Sequence, residues 1–183
     1  MAGVDILALG EPMVEFNQTG HDDGRLYRQG FGGDTSNFAI AAARQGARAG
    51  LISAVGDDAY GAMLRALWRA EGVATDAWTR DLRAPTRSAK FLHVSGISQA
   101  IGTGAFDTAF AAIAMARPAG VRIAPSQGRS LVPGGVVDPV DATGAGDCFA
   151  GALLARLAAD DAMPAALDCA NANANAAALT STS

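Results

Sequence analysis

The chain has 183 residues, half of them hydrophobic and 17% charged, with a formal net charge of −4. That length gives one sizeable core and hardly two, and a composition so low in charge and rich in Ala and Gly excludes a disordered chain. A single lysine (Lys90) and scattered arginines leave no basic footprint for nucleic acid, and no apolar stretch reaches the length of a membrane span.

Taken in chain order, residues 4–10 (VDILALG) are an apolar run ending in Gly and read as a buried strand. The first ten residues carry an acid inside that run and no basic stretch, so they do not read as a secretory leader. Residues 36–46 read as a helix, with Ser36 as cap and Gly46 as stop. A strand is expected at 49–55. A helix follows at 59–71, where Met63, Leu64, Leu67 and Trp68 recur at helical spacing and place Trp68 in the core. A third strand is expected at 91–95, with His93 as a hydrogen-bonded core residue. Gly102–Asp107 reads as a loop and cap before a helix over 106–117, stopped by Pro118. Short strands are expected at 121–124 and 130–137, and helices at 145–159 and 164–179. The Asn-Ala repeat of Asn171–Asn175 falls within the last of these. His21 lies in a polar, solvent-facing loop, and Trp78 is left unassigned. Cys148 and Cys169 lack metal-ligand spacing and read as reduced packing residues, which points to the cytoplasm. No metal-ligand set is read from the chain. Strands alternating with helices imply a mostly parallel sheet covered on both faces.

Ligands of such sheets bind at the carboxyl ends of the strands, where Gly-rich loops lie. Two loops qualify, Gly30–Asn37 and Asp138–Gly151. In the second, Asp141-Ala-Thr-Gly-Ala-Gly-Asp147 precedes an apolar helix. Its glycines let backbone N–H groups converge, and a helix start adds unpaired donors and a positive dipole end, so the loop suits a phosphate. An acid there repels phosphate unless it faces a hydroxyl that must lose its proton, as phosphoryl transfer requires. On spacing alone Asp147 reads first as a helix cap or first-turn acid, with the base as the competing reading. A Walker A loop is excluded because Ala152 and Leu153 follow Gly151. A dinucleotide fingerprint is excluded because Phe149 stands where its third glycine belongs.

These residues resemble the C-terminal signature of the PfkB, or ribokinase-like, carbohydrate kinases. Gly32-Gly-Asp-Thr-Ser-Asn37, a small-residue helix, and Val55-Gly-Asp-Asp58 with Gly61 resemble the N-terminal signature, in the right order. The resemblance implies an α/β fold: a ribokinase-like three-layer α/β/α sandwich with a mostly parallel sheet. It implies Asp147 as catalytic base and Gly144, Ala145 and Gly146 as an anion hole for the γ-phosphoryl group. Thr143, Gly144, Gly146 and Asn171 become nucleotide-binding candidates. Gly32, Gly33, Asp34 and Asn37 become sugar contacts, beside the plainer readings of a turn for the glycines, a first-turn acid for Asp34 and a cap for Asn37. Glu15 occupies the place of the acid that holds sugar hydroxyls, ahead of Glu11; Asp138 and Asp141 are left as loop acids. ATP, Mg²⁺ and a monovalent cation such as K⁺ are the implied cofactors. The implied partners are a sugar or sugar acid and ATP, with a homodimer and no nucleic acid or membrane partner.

The implied reaction is ATP-dependent transfer of a phosphoryl group to a sugar hydroxymethyl. Gly10-Glu-Pro-Met-Val-Glu-Phe16 and Gly32-Gly-Asp-Thr35 look most like the 2-keto-3-deoxygluconate kinase branch. Fructokinase or ribokinase activity, or a non-catalytic sugar- or nucleotide-binding remnant, stays open. An acidic sugar needs an Arg or Lys near its carboxylate, and the sequence alone places none. The chain is expected to form one domain over 1–183, with the resemblance broken near 86–87 and 124–125. A β-lid is expected to be missing or incomplete at the first break. At the second, several strand–helix units and an Asn-x-x-Glu motif associated with magnesium and phosphate are lacking. Either the chain joins segments of a longer parent protein, to which the functional reading then applies, or the deletion is real, in which case poor stability and an inactive form are expected.

Overall fold

A computed structural model describes residues 3–19, 24–75, 83–125 and 137–179. His21, Trp78 and nearly all of the strand expected at 130–137 lie outside the described residues. The elements are β1 (Ile6–Leu9), β2 (Met13–Gln18), β3 (Tyr27–Gly32), α1 (Asp34–Arg44), β4 (Ala49–Ile52), α2 (Ala59–Ala70), α3 (Arg83–Ser88), β5 (Phe91–Val94), α4 (Gly96–Ile101), α5 (Thr103–Ala116), β6 (Arg122–Pro125), α6 (Ala145–Ala158) and α7 (Met163–Ala178). Among these helices none is long and apolar enough to cross a membrane.

Four strands form one parallel sheet in the order β4-β1-β5-β6. β1 and β5 are buried at every position, as strands covered on both faces must be. Successive side chains point to opposite faces, and the core divides accordingly. Ile6, Ala8, Leu51 and Phe91 pack with Phe38 and Ala39 of α1, Leu64 and Trp68 of α2, and Leu154 and Ala155 of α6. Leu7, Leu9, Leu92 and Val94 pack with Ala109, Ala112 and Ala116 of α5 on the other face. The result is the expected three-layer α/β/α sandwich.

α1 and α6 approach closely because Gly151 lies at their crossing. A Cβ there would stand 2.5 Å from the Phe38 carbonyl oxygen and 2.9 Å from Ala41 Cβ. This contact brings the amino-terminal ends of the two helices together, which is where the chemistry-bearing residues sit.

Two local expectations are corrected, and one further element lies where no strand was expected. Ser36 does not cap α1: the helix starts at Asp34 after Gly33, whose φ of 92° makes the break. Ser36 faces inward instead and accepts a 2.9 Å hydrogen bond from Trp68 Nε1. Thr103–Asp107 is the first turn of α5 and not a loop; Gly102 alone separates α4 from α5. Finally, β2 and β3 form a two-stranded antiparallel ribbon pairing Met13 with Gly32 and Glu15 with Gly30. Phe16, Tyr27 and Phe31 are exposed on it.

Candidate active site

Three segments converge at the carboxyl end of the sheet: Gly10–Pro12 after β1, the β3–α1 junction at Gly32–Asn37, and the start of α6. Gly33 allows the first two to touch backbone to backbone. A Cβ on it would lie 2.8 Å from the Glu11 carbonyl oxygen and from Met13 N, and its positive φ disfavours any side chain. Gly10 likewise has no room for a Cβ, because the Thr35 and Ser98 hydroxyls occupy that space.

Asp147 is the third residue of α6, half-buried, and its Oδ2 accepts a 3.2 Å hydrogen bond from Asn37 Nδ2. Burial pushes its pKa up to about 6 from the ordinary 3.8. The Asn37 bond opposes this, the Asp34 charge adds to it, His93 opposes it, and Glu11 adds to it. An acid so poised is charged at neutral pH yet able to hold a proton briefly, the property a general base needs.

Asp34, in the first turn of α1, stands 3.3 Å from His93 Nε2 through Oδ1. His93 is buried and stacks on Phe38 with ring centroids 3.8 Å apart and planes 9° apart. It is thus the hydrogen-bonded core residue expected, and it also anchors an acid of the site. In the loop before α6, Thr143 N donates to Asp141 Oδ1 at 2.8 Å. Gly144 then adopts the left-handed conformation (φ 74°, ψ −1°) as N-cap. A Cβ there would come within 3.1 Å of Asn37 Nδ2, whereas a Cβ on Gly146 would meet nothing within 4 Å. The helix start is therefore open on the Gly146 side, and a phosphoryl-sized anion can approach its amides.

Glu15 lies on the ribbon, its carboxylate folded over Gly32 in the space a side chain at 32 would fill. Asn171 lies half-buried in the middle of α7. Its neighbour Asn173 bonds Gln45 at 2.9 Å, at the end of α1 remote from Asn37. The structure thus brings Asp147, Gly144, Asn37 and Asp34 together around the start of α6 and sets Asn171 apart from them.

Two features escaped the sequence reading. Glu11 is clamped by the hydroxyls of Ser95, at 3.2 Å, and of Ser98. Those serines follow β5, eighty-odd positions away, and only its place after a strand-ending glycine could have signalled it. The second feature is a cavity of about 1040 Å³ at the ends of β1 and β4, with Gly10, Glu11, Val55, Arg65, Trp68 and Thr108 in its wall. Glu11 belongs to both the cavity and the electrostatic surroundings of Asp147.

Residues 5–96 and 113–183 match the family described as pfkB family carbohydrate kinase, which covers both loops of this site. The chain belongs to that family. A 2-dehydro-3-deoxygluconokinase of Dickeya dadantii (strain 3937) is 39% identical over 80 residues, covering 42% of this chain and 24% of that protein. A 2-dehydro-3-deoxygluconokinase of Thermoproteus tenax is 35% identical over 88 residues, 46% of this chain and 27% of that protein. The chain thus spans about a quarter of the length of the curated relatives it matches. The solved structure of a PfkB protein from Polaromonas sp. JS666 superposes with a TM-score of 0.77 at 19% identity, covering 98% of each chain. At that identity the likeness is one of fold, and it makes the three-layer sandwich of this PfkB chain a ribokinase-like one.

Proposed function

We propose that this PfkB chain is the site-bearing part of an ATP-dependent sugar kinase, with 2-keto-3-deoxygluconate as its best substrate. The observation that carries the reading is Asp147: a half-buried carboxylate, bonded to Asn37, beside an open glycine-bounded helix start. ATP, when bound, supplies the γ-phosphoryl group. Asp147 accepts the proton of the sugar hydroxymethyl as its oxygen bonds phosphorus and the bond from phosphorus to the ADP oxygen breaks. The backbone amides of Gly144, Ala145 and Gly146, with Thr143 alongside, hold the anionic oxygens that gain charge in that step. Asn37 keeps the Asp147 carboxylate aimed. Gly32, Gly33, Asp34 and Glu15 take the sugar hydroxyls, and Asn171 is the more distant nucleotide contact.

The residues fit a phosphoryl group. They are less suited to a resident metal, since no group of three His, Cys, Asp or Glu side chains that could hold one is found among the described residues. Magnesium would then arrive on the nucleotide's phosphates, a mode usual for that ion, and potassium is likewise an added requirement of the reading. The cellular reading is a cytoplasmic homodimer of single-domain chains.

A second reading, binding without transfer, is favoured by the ribbon. Its Phe16 and Phe31 are 54% and 40% exposed, so two strands alone cover little of the site, and exclusion of water is part of such catalysis. ADP formation across a panel of sugars and sugar acids separates the two. The kinase reading predicts ADP with 2-keto-3-deoxygluconate above fructose and ribose; thermal stabilisation by ligands with no ADP from any acceptor would leave the binding reading.

A further inference from the structure

The cavity beside Glu11 has charged groups of opposite sign in its wall, and this polarity says how a ligand would lie in it. Among the described residues that line it, only Glu11 and Arg65 are charged. Glu11 is held at the β1 end by Ser95 and Ser98 and contributes to the field on Asp147. Arg65 projects from α2, on the β4 side. Leu51, Val55 and Trp68 form apolar wall on the same β4 and α2 side, so a charge there meets less competition from water than on an open surface.

Arg65 is held but not consumed. Its Nη1 donates to the Gly56 carbonyl at 3.2 Å, and Nη2 stands 3.9 Å from Asp57, whose side chain is fully exposed. An exposed pair of that length is worth little, and a guanidinium has five N–H donors in a fork that matches a carboxylate. The backbone beneath is fixed. Asp58 caps α2 by accepting from Gly61 N at 2.8 Å, and the Gly56 carbonyl occupies the space of the missing Cβ of Gly61. The guanidinium, carried by α2, therefore rests against a braced loop rather than a wandering one.

We infer that Arg65 is a specificity-determining residue that takes the carboxylate of a sugar acid, with the ligand's hydroxyl end turned toward Glu11 and Asp147. Glu11 repels a carboxylate and accepts from hydroxyls, while Arg65 does the reverse, so the two fix the direction of an acidic ligand. A neutral sugar of the same length gains the hydroxyl contacts and lacks the ion pair. The inference rests on the sugar-kinase reading for its ligand class, but not on turnover.

The test is calorimetric binding of gluconate, 2-keto-3-deoxygluconate and, as the neutral comparison, fructose, to the wild-type chain, Arg65→Met and Arg65→Lys. Circular dichroism confirms that each variant is folded. The wild type should prefer the acids. Arg65→Met should lower the acid-to-neutral affinity ratio about 10- to 100-fold, the loss expected when a charged hydrogen-bond partner is removed, and Arg65→Lys should keep part of it. A wild type that does not prefer acids, or an Arg65→Met ratio within twofold of wild type, overturns the assignment. ADP formation is measured alongside. An intact acid preference lost in Arg65→Met without any ADP would sustain this inference while removing the kinase reading. Transfer to fructose with no acid preference would do the opposite.

Discussion

At the scale of single residues the account turns on the protonation of Asp147. Its folded pKa of about 6 lies above its ordinary 3.8, so between those values the folded protein binds more protons than the unfolded chain. Stability therefore falls as pH rises through that window. Below about pH 4 the group costs nothing; above about pH 6 the whole penalty stands, on the order of 2 kcal/mol once partial solvent access is allowed for. Asp147→Asn removes the charge and keeps the shape. Its melting temperature should match the wild type at pH 4 and exceed it at pH 7, with the gap opening in between; a gap independent of pH contradicts the burial argument. Gly144→Ala acts on the neighbouring position. The left-handed backbone costs a side chain about 1–2 kcal/mol, and the new Cβ would crowd Asn37 Nδ2 at 3.1 Å. Chemical denaturation should show at least that loss, while Gly146→Ala, where the space is open, should cost much less.

At the scale of elements, the α1–α6 contact holds Asn37 against Asp147. Gly151→Ala inserts a methyl 2.5 Å from the Phe38 carbonyl, and overpacking of this kind costs about 1–3 kcal/mol. The helices would part at their crossing, so any phosphoryl transfer should fall together with stability; a stable variant with unaltered transfer would show that the crossing does not position the site. The same contact explains which elements the sequence made legible. β1, β4, β5, α1, α2, α6 and α7 each bury a face against it or the sheet, and burial writes the periodic or continuous apolar pattern that a reader can detect. The β2–β3 ribbon buries neither face fully, carries Gly30 and Gly32, and so shows no alternation. Ser36 was misread because Ser is a common cap; Gly33, with its left-handed backbone, made the break three residues earlier. The Asp141–Asp147 loop was legible because phosphate chemistry needs its glycines in sequence. The Glu11 clamp and the Arg65 cavity were not, because each is assembled from segments brought together only by the parallel sheet.

At the scale of the whole molecule, one sheet separates two apolar clusters, and each strand contributes to both. Neither cluster can lose its strands without exposing the other, which argues for a single cooperative unit, as proposed for the domain organisation. Unfolding followed by far-ultraviolet circular dichroism and by tryptophan fluorescence should give coincident transitions; Trp68, buried against Ser36, reports the α2 side. Separated transitions would divide the chain into more than one unit. The same architecture delivers β1, the β3–α1 junction and the start of α6 to one end of the sheet, and so makes a composite site from loops distant in sequence.

The most direct test of that site is the initial rate of ADP formation from ATP and 2-keto-3-deoxygluconate, measured against pH for the wild type and Asp147→Asn. The account predicts a wild-type rate that rises with pH to a plateau, with a midpoint near pH 6, because the base must be ionised to accept a proton. It predicts a variant slower by about 10²–10⁴-fold that has lost this dependence. An Asp147→Asn protein that turns over at the wild-type rate with the wild-type pH profile would contradict it.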